Sequence, residues 1–200
     1  MRVRPYGPAA WLVDEIDDPV SWAAGLRAIE LDDVVEVVAA ECSVLVRCDR
    51  ARRTEVGDAL ARVTPVRRTV DPEPIVIPVR YGGEDLDEVA ERLGLTSRSV
   101  IERHTGAVYT VRFCGFAPGF AYLGGLDPAL ELPRRDSPRT RVPAGAVAIA
   151  AHYTAVYPAP SPGGWHLLGA TDEPLWDSSL AAPARLVPGS TVRFREIGAR

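Results

Sequence analysis

Apolar and polar positions alternate with two different rhythms along this chain. In the first stretch, short β-branched runs are interleaved with helical patterns. Residues 10–13 read as a strand, and residues 19–29 as a helix opened by Asp18, whose carboxylate suits an N-cap. Residues 34–40 and 43–47 read as a β-hairpin turning at Glu41 and Cys42. Residues 51–63 carry the period of a second helix, rich in Arg and Glu. Residues 75–79 read as a closing strand. The order β-α-β-β-α-β is that of a ferredoxin-like split βαβ unit, expected over residues 1–80. Its boundary is expected at residues 71–74 or at Tyr81-Gly82-Gly83.

The second rhythm begins with Asp85-Leu86-Asp87-Glu88, a capping-box pattern ahead of a helical run. Thr96 or Ser97 can cap a further helix reaching His104. From Ala107 onward come AVYTVRF, VAIAA, AVYPA, HLLGAT and STVRFREI, with Pro188-Gly189 marking the turn into the last. Several short strands between turn residues predict a small barrel or sandwich over residues 81–200. The fold class expected is therefore α+β.

Composition narrows the chemistry. The 200 residues are 46% apolar with a net charge of −4, which gives no general reason to bind nucleic acid or an acidic membrane. No apolar run approaches the ~20 residues of a bilayer span. The first residues lack the apolar core of a signal peptide. Three cysteines fit a reducing, cytoplasmic setting better than a disulfide framework. The sequence contains no Lys, Asn or Gln. That removes Schiff-base lysines, the Walker A lysine and side-chain amides for an oxyanion hole. Any phosphate or carboxylate must be met by Arg or by backbone N–H groups.

Residues 114–169 combine many Gly and Pro with large aromatics: Phe116, Phe120, Tyr122, Tyr153, Tyr157 and Trp165. Such a segment is neither helix nor disordered linker. The loop from Pro133 to Pro143 carries Arg134, Arg135, Arg139 and Arg141 between three prolines. Its guanidinium groups suit bidentate binding of carboxylates or phosphates; a solvated loop with an internal pair to Asp136 is the alternative. Ser161-Pro162-Gly163-Gly164-Trp165 offers either two backbone donors to an anion or a tight turn anchored by Trp165. His104, His152 and His166 show no metal-ligand spacing, so no metal site is expected. Cys42, Cys48 and Cys114 are expected as buried thiols.

From about Val79 to Ile197 the chain resembles the allophanate hydrolase subunit 1 family, also called the KipI or PxpB family. The residues that carry this are Tyr81-Gly82-Gly83, Leu93-Gly94-Leu95, residues 100–105, Gly115-Phe116-Ala117-Pro118-Gly119-Phe120-Ala121-Tyr122-Leu123, residues 138–145, Tyr157-Pro158 and Ser161-Pro162-Gly163-Gly164-Trp165. The resemblance implies an N-terminal α/β domain and a C-terminal cyclophilin-like β-barrel, forming half of a carboxyltransferase-type module. It implies two partners, a subunit 2 protein (KipA or PxpC type) and a LamB/YcsF-type (PxpA-like) protein. It further implies the B component of a multi-subunit, ATP-dependent 5-oxoprolinase that converts 5-oxo-L-proline to L-glutamate, inactive as an isolated chain. The ATP site is not located in this sequence. The alternatives it leaves are a KipI-like regulator binding a histidine kinase and a component acting on allophanate or urea amides.

Within that resemblance, Arg134, Arg139 and Arg141 are expected to bind the substrate carboxylate or a transferring phosphoryl group. Gly163 and Gly164 supply backbone donors, and His104 is the candidate acid or base. Phe116, Tyr122, Tyr153, Tyr157, Ser161 and Trp165 shape the pocket. Where the family commonly has Gly-Gly-Gln-Thr-Gly, this chain has Ala151-His152-Tyr153-Thr154-Ala155, so a pocket narrowed at Tyr153 is expected.

Overall fold

The computed structural model describes residues 1–66 and 73–198. Asp71 and Pro72 of the expected boundary lie outside the described residues. By its internal contacts the chain divides into two compact units, Met1–Val70 and Asp71–Arg200. Both helices and strands are present, as α+β requires.

The first unit contains β1 (Arg2–Pro5), β2 (Ala10–Asp14), α1 (Pro19–Ala28), β3 (Val34–Ala39), β4 (Val44–Cys48) and α2 (Arg53–Leu60). Its sheet runs β1-β2-β4-β3 and is antiparallel throughout. Asp18 caps α1 by accepting from the Ser21 N–H at 3.1 Å. Alternate residues Val44, Val46 and Cys48 face Trp22, Leu26, Val56 and Leu60 in one core. Cys42 sits exposed beyond the end of β3, whereas Cys48 is buried as expected. The expected closing strand does not join this sheet. The edge of β2 away from β4 is taken by β1, a strand whose Arg-Val-Arg-Pro sequence gives no apolar alternation.

That strand, β5 (Ile75–Tyr81), belongs instead to the second unit. It is followed by α3 (Leu86–Leu93), α4 (Ser97–Gly106), β6 (Tyr109–Cys114), β7 (Ala121–Gly124), β8 (Arg139–Val142), β9 (Ala146–Ala150), β10 (Tyr153–Val156), β11 (Ser161–Gly163), β12 (His166–Ala170) and β13 (Thr191–Glu196). Seven of these close a barrel in the order β10-β7-β6-β13-β5-β12-β9. The β5–β13 pair is parallel, and the other neighbours are antiparallel. Strands β8 and β11 form a separate two-stranded ribbon.

Both faces of β9 are buried, and its alternation shows why. Val147 and Ile149 pack in the barrel interior with Ile77, Leu123, Leu168 and Phe194. Ala146, Ala148 and Ala150 face outward, under Phe120, Tyr157 and Trp165. Small residues on that face leave room for an aromatic layer outside the barrel wall. This layer carries the candidate site.

Candidate functional site

The segment after β6 turns twice to enter the aromatic layer. Ala117 to Phe120 forms a type II turn: Pro118 holds the second position, Gly119 has φ +80°, and the Phe120 N–H donates to the Ala117 carbonyl at 3.0 Å. Just before it, the Ala117 N–H donates to the Gly115 carbonyl at 2.8 Å across Phe116, whose φ is +70°. That is a γ-turn of the rarer, strained hand. A bulky residue held there costs about 1–3 kcal/mol.

The aromatic layer is built edge to face. Phe120 stands nearly perpendicular to Tyr157 (centroids 5.2 Å apart) and to Trp165 (5.6 Å), and Tyr122 meets Trp165 at 5.6 Å. The ribbon closes over it. Gly163 pairs with Arg139, and the Arg135 N–H donates to the Gly164 carbonyl at 2.8 Å. Two motifs separated in sequence are thereby joined. Gly163 is required here because a Cβ would overlap the Tyr157 hydroxyl.

Between ribbon and layer lies a small cleft of about 70 Å³, lined by Phe116, Phe120, Tyr122, Arg134, Tyr157, Pro162, Gly163, Gly164 and Trp165. Seven of the expected site residues meet there: Arg134, Gly163, Gly164, Phe116, Tyr122, Tyr157 and Trp165. Arg134 is exposed, and no carboxylate among the described residues pairs with it. Burial pushes the Tyr157 phenol up. The Trp165 N–H and the Arg134 and Arg139 charges oppose this, and nearby Tyr122 adds to it.

The other expected residues lie elsewhere. Arg139 does not line the cleft; it pairs with Asp85 at 2.7 Å and with Glu84 at 3.2 Å. Arg141 is exposed on β8, outside the lining. Tyr153 packs behind the cleft, perpendicular to Tyr122 at 5.6 Å and to Phe113 at 5.7 Å, so it does not narrow the opening. Ser161 lies on β11 with its hydroxyl turned into the protein.

His104 is not brought to the cleft either. It is fully buried in the barrel core. Its Nε2 lies 2.8 Å from Thr154 Oγ1, whose own proton goes to the Ala148 carbonyl, so Nε2 carries the imidazole hydrogen. Nδ1 then accepts from the Tyr81 hydroxyl at 2.6 Å. The ring stacks on Phe194 at 4.6 Å. Burial drives its pKa down to about 3, so it stays neutral. The geometry makes it a tie between α4, β5, β10 and β13.

One residue important to the site has a role that its sequence pattern does not suggest. Asp85 does not cap α3 with its side chain. Gly82 and Gly83 donate to the Leu168 carbonyl, and a Cβ at Gly83 would overlap the Leu167 carbonyl. This close approach carries Asp85 against β12, where it accepts from the Leu167 N–H at 2.7 Å. Its other oxygen accepts from Arg135 and Arg139, both at 2.7 Å. Burial would raise the Asp85 pKa, but these hydrogen bonds and the two guanidinium charges outweigh it and hold the carboxyl below its usual range. The Gly-Gly before it is the available signal. Among the described residues, no three His, Cys, Asp or Glu side chains gather closely enough to hold a metal ion.

Comparison with known proteins places the chain in a family. Residues 1–186 match the family described as carboxyltransferase domain, subdomain C and D. The chain is 38% identical to the B subunit of 5-oxoprolinase from Escherichia coli O157:H7 over 209 residues, covering 96% of this chain and 95% of that one. The crystal structure of TTHA0988 matches with a TM-score of 0.85 at 36% identity, across 100% of this chain but only 41% of TTHA0988. The K. lactis urea amidolyase shares the fold, with a TM-score of 0.72 at 19% identity, over 98% of this chain and 15% of that enzyme. This chain belongs to the carboxyltransferase domain, subdomain C and D, family.

Proposed function

We propose that this chain is the B component of a multi-subunit, ATP-dependent 5-oxoprolinase, and that its cleft holds 5-oxo-L-proline while the ring is opened to L-glutamate. The observation that carries this reading is Arg134, a guanidinium with no carboxylate partner among the described residues, at an aromatic cleft beside Gly163 and Gly164. A substrate carboxylate meets the cation. The uncharged ring lies against the aromatics. In this reading the Gly163 and Gly164 N–H groups serve the amide oxygen as negative charge develops on it.

Size supports a small acid. A water needs roughly 10–15 Å³ of such space, so about 70 Å³ holds a handful of atoms. Pockets that enclose drug-sized ligands run from about 300 to 1,000 Å³. A nucleotide does not fit, so in this reading ATP is bound elsewhere in the complex. The lining contains no carboxylate, imidazole or thiol. The chain's part is to bind and polarise the substrate, and proton and phosphoryl transfers fall to its partners.

Those partners are a subunit 2 protein and a LamB/YcsF-type protein. The chain spans 41% of TTHA0988 and 95% of the Escherichia coli relative, whose name makes that relative one component of a complex. The barrel is of the cyclophilin-like kind in this reading, and the complex is cytoplasmic. Among the described residues, no helix is long and apolar enough to cross a membrane.

The test is co-expression of the three proteins and an assay for glutamate released from 5-oxo-L-proline with and without ATP. ATP-dependent glutamate that disappears when this chain is omitted is the expected result. A well-assembled complex with no turnover would defeat the reading.

A further inference from the structure

Of the aromatic rings around the cleft, Phe116 alone is exposed, at 62%; Phe120, Tyr157 and Trp165 are sealed to 5% or less. Its backbone is held in the strained γ-turn, with hydrogen bonds on either side of it. The type II turn fixes the residues that follow, and the Gly115 N–H donates to the Phe120 carbonyl at 3.2 Å to close the loop. An apolar ring facing water on a strained backbone is unfavourable twice over. Such an arrangement persists only where the surrounding structure over-determines it, and it marks functional positions.

The ring stands nearly perpendicular to its neighbours. Its plane makes 71° with Phe120 at 5.2 Å and 87° with Tyr157 at 6.4 Å. It therefore stands as an exposed wall at the border of a layer of edge-to-face rings. Arg134 and the Gly163–Gly164 backbone belong to the same cleft. A flat ring bearing a carboxylate suits this arrangement: its charge goes to Arg134 and its face to Phe116. An open-chain amide acid can satisfy the cation, but its planar amide is smaller and turns freely about its flanking bonds, so it offers the wall less fixed area.

We propose that Phe116 is a specificity-determining residue of the cleft, selecting cyclic amide acids over open-chain ones by packing against the ring face. The inference rests on reading the cleft as the substrate site. Its strained turn fixes the wall before ligand arrives, so little ordering is lost on binding.

The test titrates the full-length chain with two probes, followed by ligand-observed NMR, which reaches millimolar affinities. The probes are 5-oxo-L-proline and the open-chain N-acetylglycine. Phe116→Ala is expected to weaken 5-oxo-L-proline roughly tenfold and N-acetylglycine less than twofold. Phe116→Tyr, which keeps the ring, is expected to restore cyclic binding, and Arg134→Ala to weaken both probes. Thermal melts confirm that each variant is folded. Equal losses for both probes, or no loss, overturn the inference and leave the cleft's assignment standing. If the wild-type chain binds neither probe, the assignment falls and the inference with it. If Phe116→Ala does not fold, Phe116→Leu takes its place, with the same selective loss expected and an equal loss again overturning the inference.

Discussion

Asp85 decides what the arginines near it can do. Its side chain is 3% exposed, yet it stays ionised between Arg135, Arg139 and the Leu167 N–H. Breaking a buried charge cluster by removing one member is costly because it strands the others. Asp85→Ala is expected to lower the unfolding free energy by about 3 kcal/mol, at the low end of such effects because both guanidinium groups keep some water contact. Urea denaturation measures it, and a loss below about 1 kcal/mol would count against the clamp. From sequence alone Arg134, Arg139 and Arg141 are equivalent members of one basic loop. They differ only in what the fold brings to them: Arg139 meets an acid 54 positions away, and Arg134 meets none among the described residues. That distinction has no local trace, so only the loop as a whole is legible. His104 escapes a sequence reading for a related reason: its partners lie 23 and 50 positions off, and they enclose it completely.

The ribbon of β8 and β11 is the element that makes the cleft. Its sequence hides it, because Pro and Gly suppress the usual strand signals. The longer alternating runs that form β2, β4, β6 and β13 are legible from their own residues, as is α1 from Asp18. The short strands β7, β8 and β11 are not, since they are set by pairing rather than propensity. The ribbon's fit over Tyr157 gives an element-level prediction. Gly163→Ala is expected to lift the ribbon from the phenol and weaken 5-oxo-L-proline binding by at least tenfold, with a smaller change in melting temperature than Asp85→Ala produces. Unchanged affinity in a folded Gly163→Ala chain would mean that the ribbon tolerates a methyl group and that the glycine is not required for binding.

The barrel as a whole is tied internally by a histidine that cannot be charged. An unfolded His titrates near 6.5, whereas folded His104 titrates at about 3. Between these values the unfolded chain binds a proton that the folded chain refuses. Stability therefore falls as pH drops below about 6.5, by up to roughly 1.4 kcal/mol per pH unit, and is unaffected by this group above it. Asp85 adds a further loss only below about pH 4, where an unfolded carboxyl takes up a proton that the folded one still refuses. Melting temperatures measured from about pH 7.5 to 4.5 should hold level to about 6.5 and decline below it; a flat profile throughout would contradict the neutral, buried assignment. The parallel β5–β13 pair belongs to this same scale. It joins strands more than a hundred residues apart, which is why residues 75–79 look, by sequence, like part of the first sheet. The pair also bears on synthesis. On a ribosome, β13 is the last barrel strand to emerge, and it must fit between β5 and β6. Until then both strands present open edges to the crowded cell, so a nascent chain cannot finish its barrel before β13 arrives and is open to mispairing for as long as those edges stand unpaired.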